Sequence, residues 1–253
     1  MPPLSLDPAP ALKAALDTLP DLLRPGLDLV FVGINPGEQS ARRGHYYAHP
    51  GNAFWRLLSA SGLTPREVQP GDDRWLFEAC GIGFTDVVKR VVTDSTQVTR
   101  AECIEALPAF RARIAAAAPR AVCFTAARPF DEVFPGVRLA SGGASDSAGG
   151  WGRQPVAFEG IEGCSVWVMP STSGLAAKWR AEGRQVLAEL AASLHVDETG
   201  AAQQSRDINS AAQQQRDSNS GAQQSRDSNS GAQRLRDSNS GAQRLRDKST
   251  VRA

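Results

Sequence analysis

Four short segments carry side chains whose types and spacing can do chemistry. Asn35, in the run GINPG from Gly33 to Gly37, offers a neutral carboxamide with both a donor and an acceptor, which is what orienting a water molecule requires. Pro36 and Gly37 can hold the unusual turn that aims it. The same residues read equally well as a turn satisfied by Asn35, with Gly37 there only to supply positive φ. Asp86 closes the run GFTD and brings a carboxylate that can accept a proton or steady a cationic transition state; a cap for the following VVKR segment, or a partner for Lys89 or Arg90, explains it too. Asp94 is a second candidate of the same kind. Tyr47, twelve positions after Asn35, supplies an aromatic face that can hold a flat ring, or can simply pack with Tyr46 beneath the loop. His45 and His49 lie close by and are assigned no proton-transfer role. Finally, Ser171, Thr172, Ser173, Gly174 and Leu175 set small hydroxyls before a helix, a pattern that grips phosphate; otherwise the serines are caps and Leu175 is the helix's first core contact.

Strands must end just before these segments to present them. The β-branched run LDLVFVG, 27–33, reads as a buried strand, followed by a long loop over 34–52 and a helix in AFWRLLSASG stopped by its glycine. A second helix falls in DDRWLFEACG, and GIGFTD is a short strand or turn. Thr99 to Glu102 is a capping box opening a helix towards Ala118. RAVCFTA is another buried strand, ARPFDEVF a short helix, 141–155 surface loop, Cys164 to Pro170 a last strand, and 175–194 a long helix. Ahead of them, 10–26 reads as a short amphipathic helix broken at Pro20 and Pro25. Alternating strands and helices predict an α/β fold, a three-layer sandwich with a mainly parallel central sheet, whose functional loops gather at the strand carboxyl ends. The expected division is 1–26 helical extension, 27–196 catalytic-type domain and 197–253 tail.

Composition narrows the setting. The 253 residues, 41% hydrophobic and 22% charged, have room for one sizeable core. Residues 201–253 hold 9 Lys and Arg against 5 Asp and Glu, leaving 19 against 22 in the rest, balances of +4 and −3. A strongly basic body is thus absent, and any polyanion must be held by a local patch or by the tail. The tail is five ten-residue units over 201–250, poor in apolar positions, and is expected to be disordered. No run of eighteen apolar residues and no secretion-type leader is seen, and Cys80, Cys103, Cys123 and Cys164 have neither CxxC spacing nor histidine partners for zinc. Reduced core thiols and a cytoplasmic location are therefore expected, nucleoid-associated if the source is bacterial.

GINPG, GHYYAHPGNAFWRLL, GIGFTDVVKR and VWVMPSTSGL together, in this order, make the chain resemble the mismatch-specific uracil and thymine DNA glycosylases over roughly residues 27–194. The resemblance implies a monofunctional glycosylase that flips uracil, or a mismatched thymine, out of DNA and hydrolyses its N-glycosidic bond. No cofactor or metal is implied, and the expected partner is DNA, met by a monomer with no membrane attachment. In that family the residue matching Asn35 positions the water, and the thymine-directed relatives resemble GFTN where this chain has Asp86, so a carboxylate stands in place of an amide. Tyr47 matches the ring that stacks on the flipped pyrimidine, with backbone N–H groups around Ile34 and Tyr47 reading the base. Ser171, Ser173 and Gly174 match the phosphate grip and Leu175 the wedge that fills the hole, with Lys178 as a backbone contact. Ala176 and Ala177 stand where relatives carry an arginine for the opposite guanine, so strict mismatch dependence is not expected. The other readings are a non-catalytic nucleotide-binding α/β protein and a non-catalytic lesion sensor.

Overall fold

A computed structural model describes residues 18–139 and 150–195; the expectations for 10–17, for most of the loop at 141–149 and for the repeat tail fall outside these residues. Five strands form one sheet: β1 (Leu29–Gly33), β2 (Ile82–Asp86), β3 (Ala121–Phe124), β4 (Gly152–Gln154) and β5 (Ser165–Val168), in the order β2-β1-β3-β5-β4. The first four of that order are parallel and β4 runs antiparallel to β5. The parallel strands are buried on both faces, which is why they read as continuous apolar runs rather than alternating ones. The alternation survives in what each residue touches. Leu29 and Phe31 join one core with Phe54, Trp55, Phe84 and Leu187, while Val30 and Val32 join the other with Phe110, Ile114, Phe124 and Phe130.

Six α-helices cover the described sheet: α1 (Glu38–Arg43), α2 (Phe54–Ser59), α3 (Asp73–Ala79), α4 (Arg100–Ala117), α5 (Ala127–Val133) and α6 (residues 180–195). The capping box forms as read: the Thr99 hydroxyl accepts from Glu102 N–H, and the Glu102 carboxylate accepts from Thr99 N–H at 2.8 Å. The alternating order and mainly parallel sheet are those the sequence predicts.

Four details differ. The 34–52 segment is not all loop, since α1 forms inside it with Gly44 as a left-handed cap. The 141–155 segment is not all surface loop: Gly152–Gln154 forms the edge strand β4, too short and glycine-rich to show as one in sequence. The last helix does not start at Leu175, because 174–179 is a 3-10 run broken at Ala176 and the α-helix begins at Arg180. Around Pro20 and Pro25 the chain is not helical; Leu22 bridges Phe84 in antiparallel fashion, and Leu19 and Leu22 are buried, so domain packing reaches back before residue 27. No described helix is long and apolar enough to cross a membrane.

Candidate active site at the carboxyl edge of the sheet

Because β2, β1, β3 and β5 lie side by side in parallel, the segments leaving them emerge along one edge. Gly33 pairs with Asp86 at the ends of β1 and β2. The two exits then run together: Val87 N–H donates to Gly33 C=O at 3.0 Å, Val88 N–H to Ile34 C=O at 2.9 Å and Val92 N–H to Pro36 C=O at 3.3 Å. Asn35 and Asp86 are thereby held on neighbouring backbones.

Asp86 is 3% exposed, and its Oδ2 is buried with no hydrogen-bond partner. A buried carboxylate oxygen without a donor is costly and calls for an explanation, of which a catalytic role is one. Neither ordinary explanation for Asp86 survives. Lys89 pairs with Asp21 at 2.8 Å and Arg90 with Glu102 at 2.6 Å, while the N–H groups of Val87 and Val88 go to backbone carbonyls. Burial, partly offset by the Lys89 charge, pushes the Asp86 carboxyl up to about 7. The carboxylate fits because residue 33 is glycine: a Cβ there would stand 2.4 Å from Asp86 Oδ1 and 3.7 Å from the Tyr47 hydroxyl oxygen. Gly37, by contrast, has φ −74° and open space around it, so the positive φ expected there is not used.

Asn35 is half-buried. Its Nδ2 donates to Pro36 C=O at 2.9 Å, and no described residue donates to its Oδ1, which leaves that oxygen to accept from a water molecule.

Tyr47 carries the strain of this edge, with φ +51°. Both neighbouring residues are pinned. Tyr46 N–H donates to Asp73 Oδ2 at 3.1 Å and Tyr46 C=O accepts from Trp55 Nε1 at 3.0 Å; Ala48 N–H donates to Ser40 Oγ and Ala48 C=O accepts from Arg43. The ring stacks on Phe54, centroids 4.0 Å apart at 21°, and the hydroxyl meets Thr125 Oγ1 at 3.2 Å. Phe54 takes one face of the ring, so a guest can stack only on the other. Burial and the nearby Asp86 hold the Tyr47 hydroxyl well above its ordinary range, hence protonated. A recess of about 240 Å³ adjoins Tyr47, walled by Arg43, Ala48, Asn52, Trp55 and Arg56 among others; neither Asn35 nor Asp86 lines it.

The Ser171–Leu175 turn joins the same edge through α2. Ala53 N–H donates to Thr172 C=O at 2.8 Å, a Cβ on Gly174 would lie 3.5 Å from Gly51 C=O, and Ala53 leads straight into Phe54 under Tyr47. Ser171 Oγ donates to Ser173 Oγ at 3.2 Å; the Ser173 side chain caps nothing. Leu175 is fully exposed at 101%, so it is no core contact. Lys178 is exposed, its Nζ 5.0 Å from the Trp179 ring centre.

Other polar side chains singled out in the sequence have structural tasks. Asp94 is a cap, accepting from Thr96 N–H at 2.9 Å at the exposed 3-10 turn 95–97. Among the histidines, His45 binds the buried Asp73 at 2.9 Å and His49 Nδ1 accepts from Gly51 N–H, both structural tasks. Missed by sequence were Asp73, Thr125, Phe54 and Asp21, whose partners lie 27 or more positions away except for Phe54, seven from Tyr47. Three cysteines are buried and Cys80 partly so, all four free; no described cluster of His, Cys, Asp and Glu has a metal-binding arrangement.

The chain is similar, at 22% identity and a TM-score of 0.44, to the solution NMR structure of a proposed uracil DNA glycosylase from Methanosarcina acetivorans, over 69% of this chain and 98% of that one. The family description "Uracil DNA glycosylase superfamily" matches residues 20–195, which take in every strand and helix described here. On that match the chain belongs to the uracil DNA glycosylase superfamily.

Proposed function

We propose that this protein is a monofunctional DNA glycosylase that extrudes uracil and hydrolyses its N-glycosidic bond, leaving an abasic site. The observation that carries the proposal is the buried Asp86 carboxylate, one oxygen without a hydrogen-bond partner and the other set against Gly33. Flipping brings the sugar carbon to the sheet edge, where Asn35 Oδ1 accepts a hydrogen from the attacking water and Asp86 takes its proton as the carbon–nitrogen bond breaks. The departing base carries the bond's electron pair. An Asp86 carboxyl poised at about 7 is matched to proton transfer near neutral pH. The same negative charge also favours an oxocarbenium-like sugar.

Tyr47 offers its free face to the base, with backbone groups at Ile34 and Tyr47 addressing the base oxygens. The Ser171, Ser173 and Gly174 turn takes phosphate, Lys178 adds a backbone contact, and Leu175 enters the vacated stack. With no arginine beside Leu175, excision does not depend strictly on an opposite guanine. Thymine differs by one methyl, worth about 1–3 kcal/mol in an apolar pocket, so it is a slower substrate at best. Monomeric action on DNA inside the cell completes the proposal.

Phosphate cradling by GINPG is disfavoured because α1 opens with Glu38 in its first turn, a negative charge where an anion would sit. The test is to incubate the protein with a labelled oligonucleotide containing one uracil, then treat with alkali. A break at the uracil, absent without alkali, is expected. Tight DNA binding with no break identifies a lesion sensor, and nucleotide binding with no break a nucleotide-binding protein.

A further inference from the structure

Next to Asp86 lies an ionic cluster that the proposed reaction does not yet use. Asp21, from the segment before β1, accepts from the Thr85 hydroxyl at 2.6 Å and from Lys89 Nζ at 2.8 Å through one oxygen. Its other oxygen lies 3.1 Å from Arg113 Nε. Arg113, on α4, reaches over with Nη2 to donate to the backbone C=O of Asp86 itself at 2.9 Å. Three elements thus meet at the end of β2: the N-terminal segment, the strand's own exit and α4. Two cations share one carboxylate, so the cluster carries one net positive charge, and each of its charged side chains is between 21 and 27% exposed. At that depth charges act on a buried neighbour with little screening.

We propose that Asp21, Lys89 and Arg113 are positioning residues for Asp86: Arg113 fixes its backbone, and the cluster's surplus positive charge keeps its carboxylate ionised against the cost of burial. The charged and titratable groups facing Asp86 are Lys89 from its own segment, Asp21, Arg113, and the hydroxyls of Tyr46 and Tyr47. Burial holds both tyrosines protonated, so they add no charge across the working range. Lys89 and Arg113 favour the ionised carboxylate and Asp21 opposes it, in line with the geometry. The cluster also explains why the chain ahead of β1 packs into the domain: it delivers Asp21, which limits how far the two cations can lower the base.

With Asp86 as the base proposed above, neutralising the two signs must move the pH profile in opposite directions. Single-turnover excision of uracil from a single-stranded oligonucleotide is measured from pH 5 to 9 for the full chain, for Lys89→Met, for Asp21→Asn and for Lys89→Arg. In Lys89→Met the rising limb is expected to move up by about one unit, a loss of about tenfold at pH 6 that disappears at the pH 9 plateau. In Asp21→Asn, which keeps the acceptor for Thr85, the limb moves down. Lys89→Arg restores the parent profile. A uniform fall at every pH with the limb unmoved in both neutralising variants would mean a purely structural cluster and would overturn the proposal. Should Asp86→Asn match the parent in rate and profile, Asp86 is not the base, and the failure lies with the proposed mechanism rather than with the cluster's geometry.

Discussion

The two ends of the candidate site are built on opposite principles. Around Asp86 a polar group is kept from water: the carboxylate is buried, one oxygen has no partner, and the other lies close against Gly33. Around Leu175 an apolar group is kept in water, on a turn anchored by Thr172 and capped by no side chain. The first arrangement costs stability, whereas an exposed leucine is as wet in the unfolded chain and leaves stability nearly unchanged. In the proposed reaction they would divide the work, a dry floor for the chemistry and a wedge whose apolar surface DNA would cover. Of the two, the buried polar group is the more informative, since a single exposed leucine is ordinary in a folded protein.

The contrast is broken most severely at Gly33. Gly33→Ala places a methyl on the Asp86 carboxylate, and misplacing it by about 1 Å should reduce excision by about 100-fold, seen in single-turnover kinetics, with a lowered melting temperature. At the other end, Leu175→Ala should cost about tenfold on duplex uracil and almost nothing on single-stranded uracil, where no hole needs filling; because the side chain is fully exposed, the melting temperature should not change. Equal losses on both substrates would argue against the wedge. Asp73→Ala removes the acceptor for His45 and Tyr46 N–H, which should destabilise the fold by about 1–3 kcal/mol in denaturant unfolding and, by freeing the strained Tyr47, raise KM a few-fold more than it lowers kcat.

A further effect is thermodynamic. The folded Asp86 carboxyl sits near 7, above its unfolded value near 3.8, so the native state holds its proton more tightly. Its contribution is fully present below about pH 4 and is lost as pH rises through about 7. Asp86→Asn should therefore gain in melting temperature over the parent, with the gain growing between those values and level beyond. A constant difference would show that the carboxyl is not perturbed.

Much of the fold was legible because local signals dominate it. The buried strands are continuous apolar runs, and Thr99 and Glu102 close their capping box within one turn. β4 was not legible: three residues with a glycine hold their place only by pairing with β5. Nor was the 3-10 run before α6, where helical composition yields to the docking of Thr172 and Gly174. In the site, Asn35, Asp86, Tyr47 and Leu175 stood out by type and motif. What supports them did not, since Asp73, Thr125 and Arg113 are ordinary residues in their own neighbourhoods and gain meaning only from partners 27 or 78 positions away. The need for glycine at Gly33 is not legible either, because a glycine required for close approach, with no positive φ, leaves no trace in turn preferences.

The central claim is that the buried Asp86 carboxylate takes the proton from the attacking water. Single-turnover uracil excision by the parent and Asp86→Asn, measured from pH 5 to 9, addresses it most directly. The parent rate should rise with unit slope and level off above about pH 7, while Asp86→Asn should be slower by about 100-fold or more on the plateau, without that slope, and bind DNA as before. A variant that keeps both the rate and the slope of the parent would contradict it.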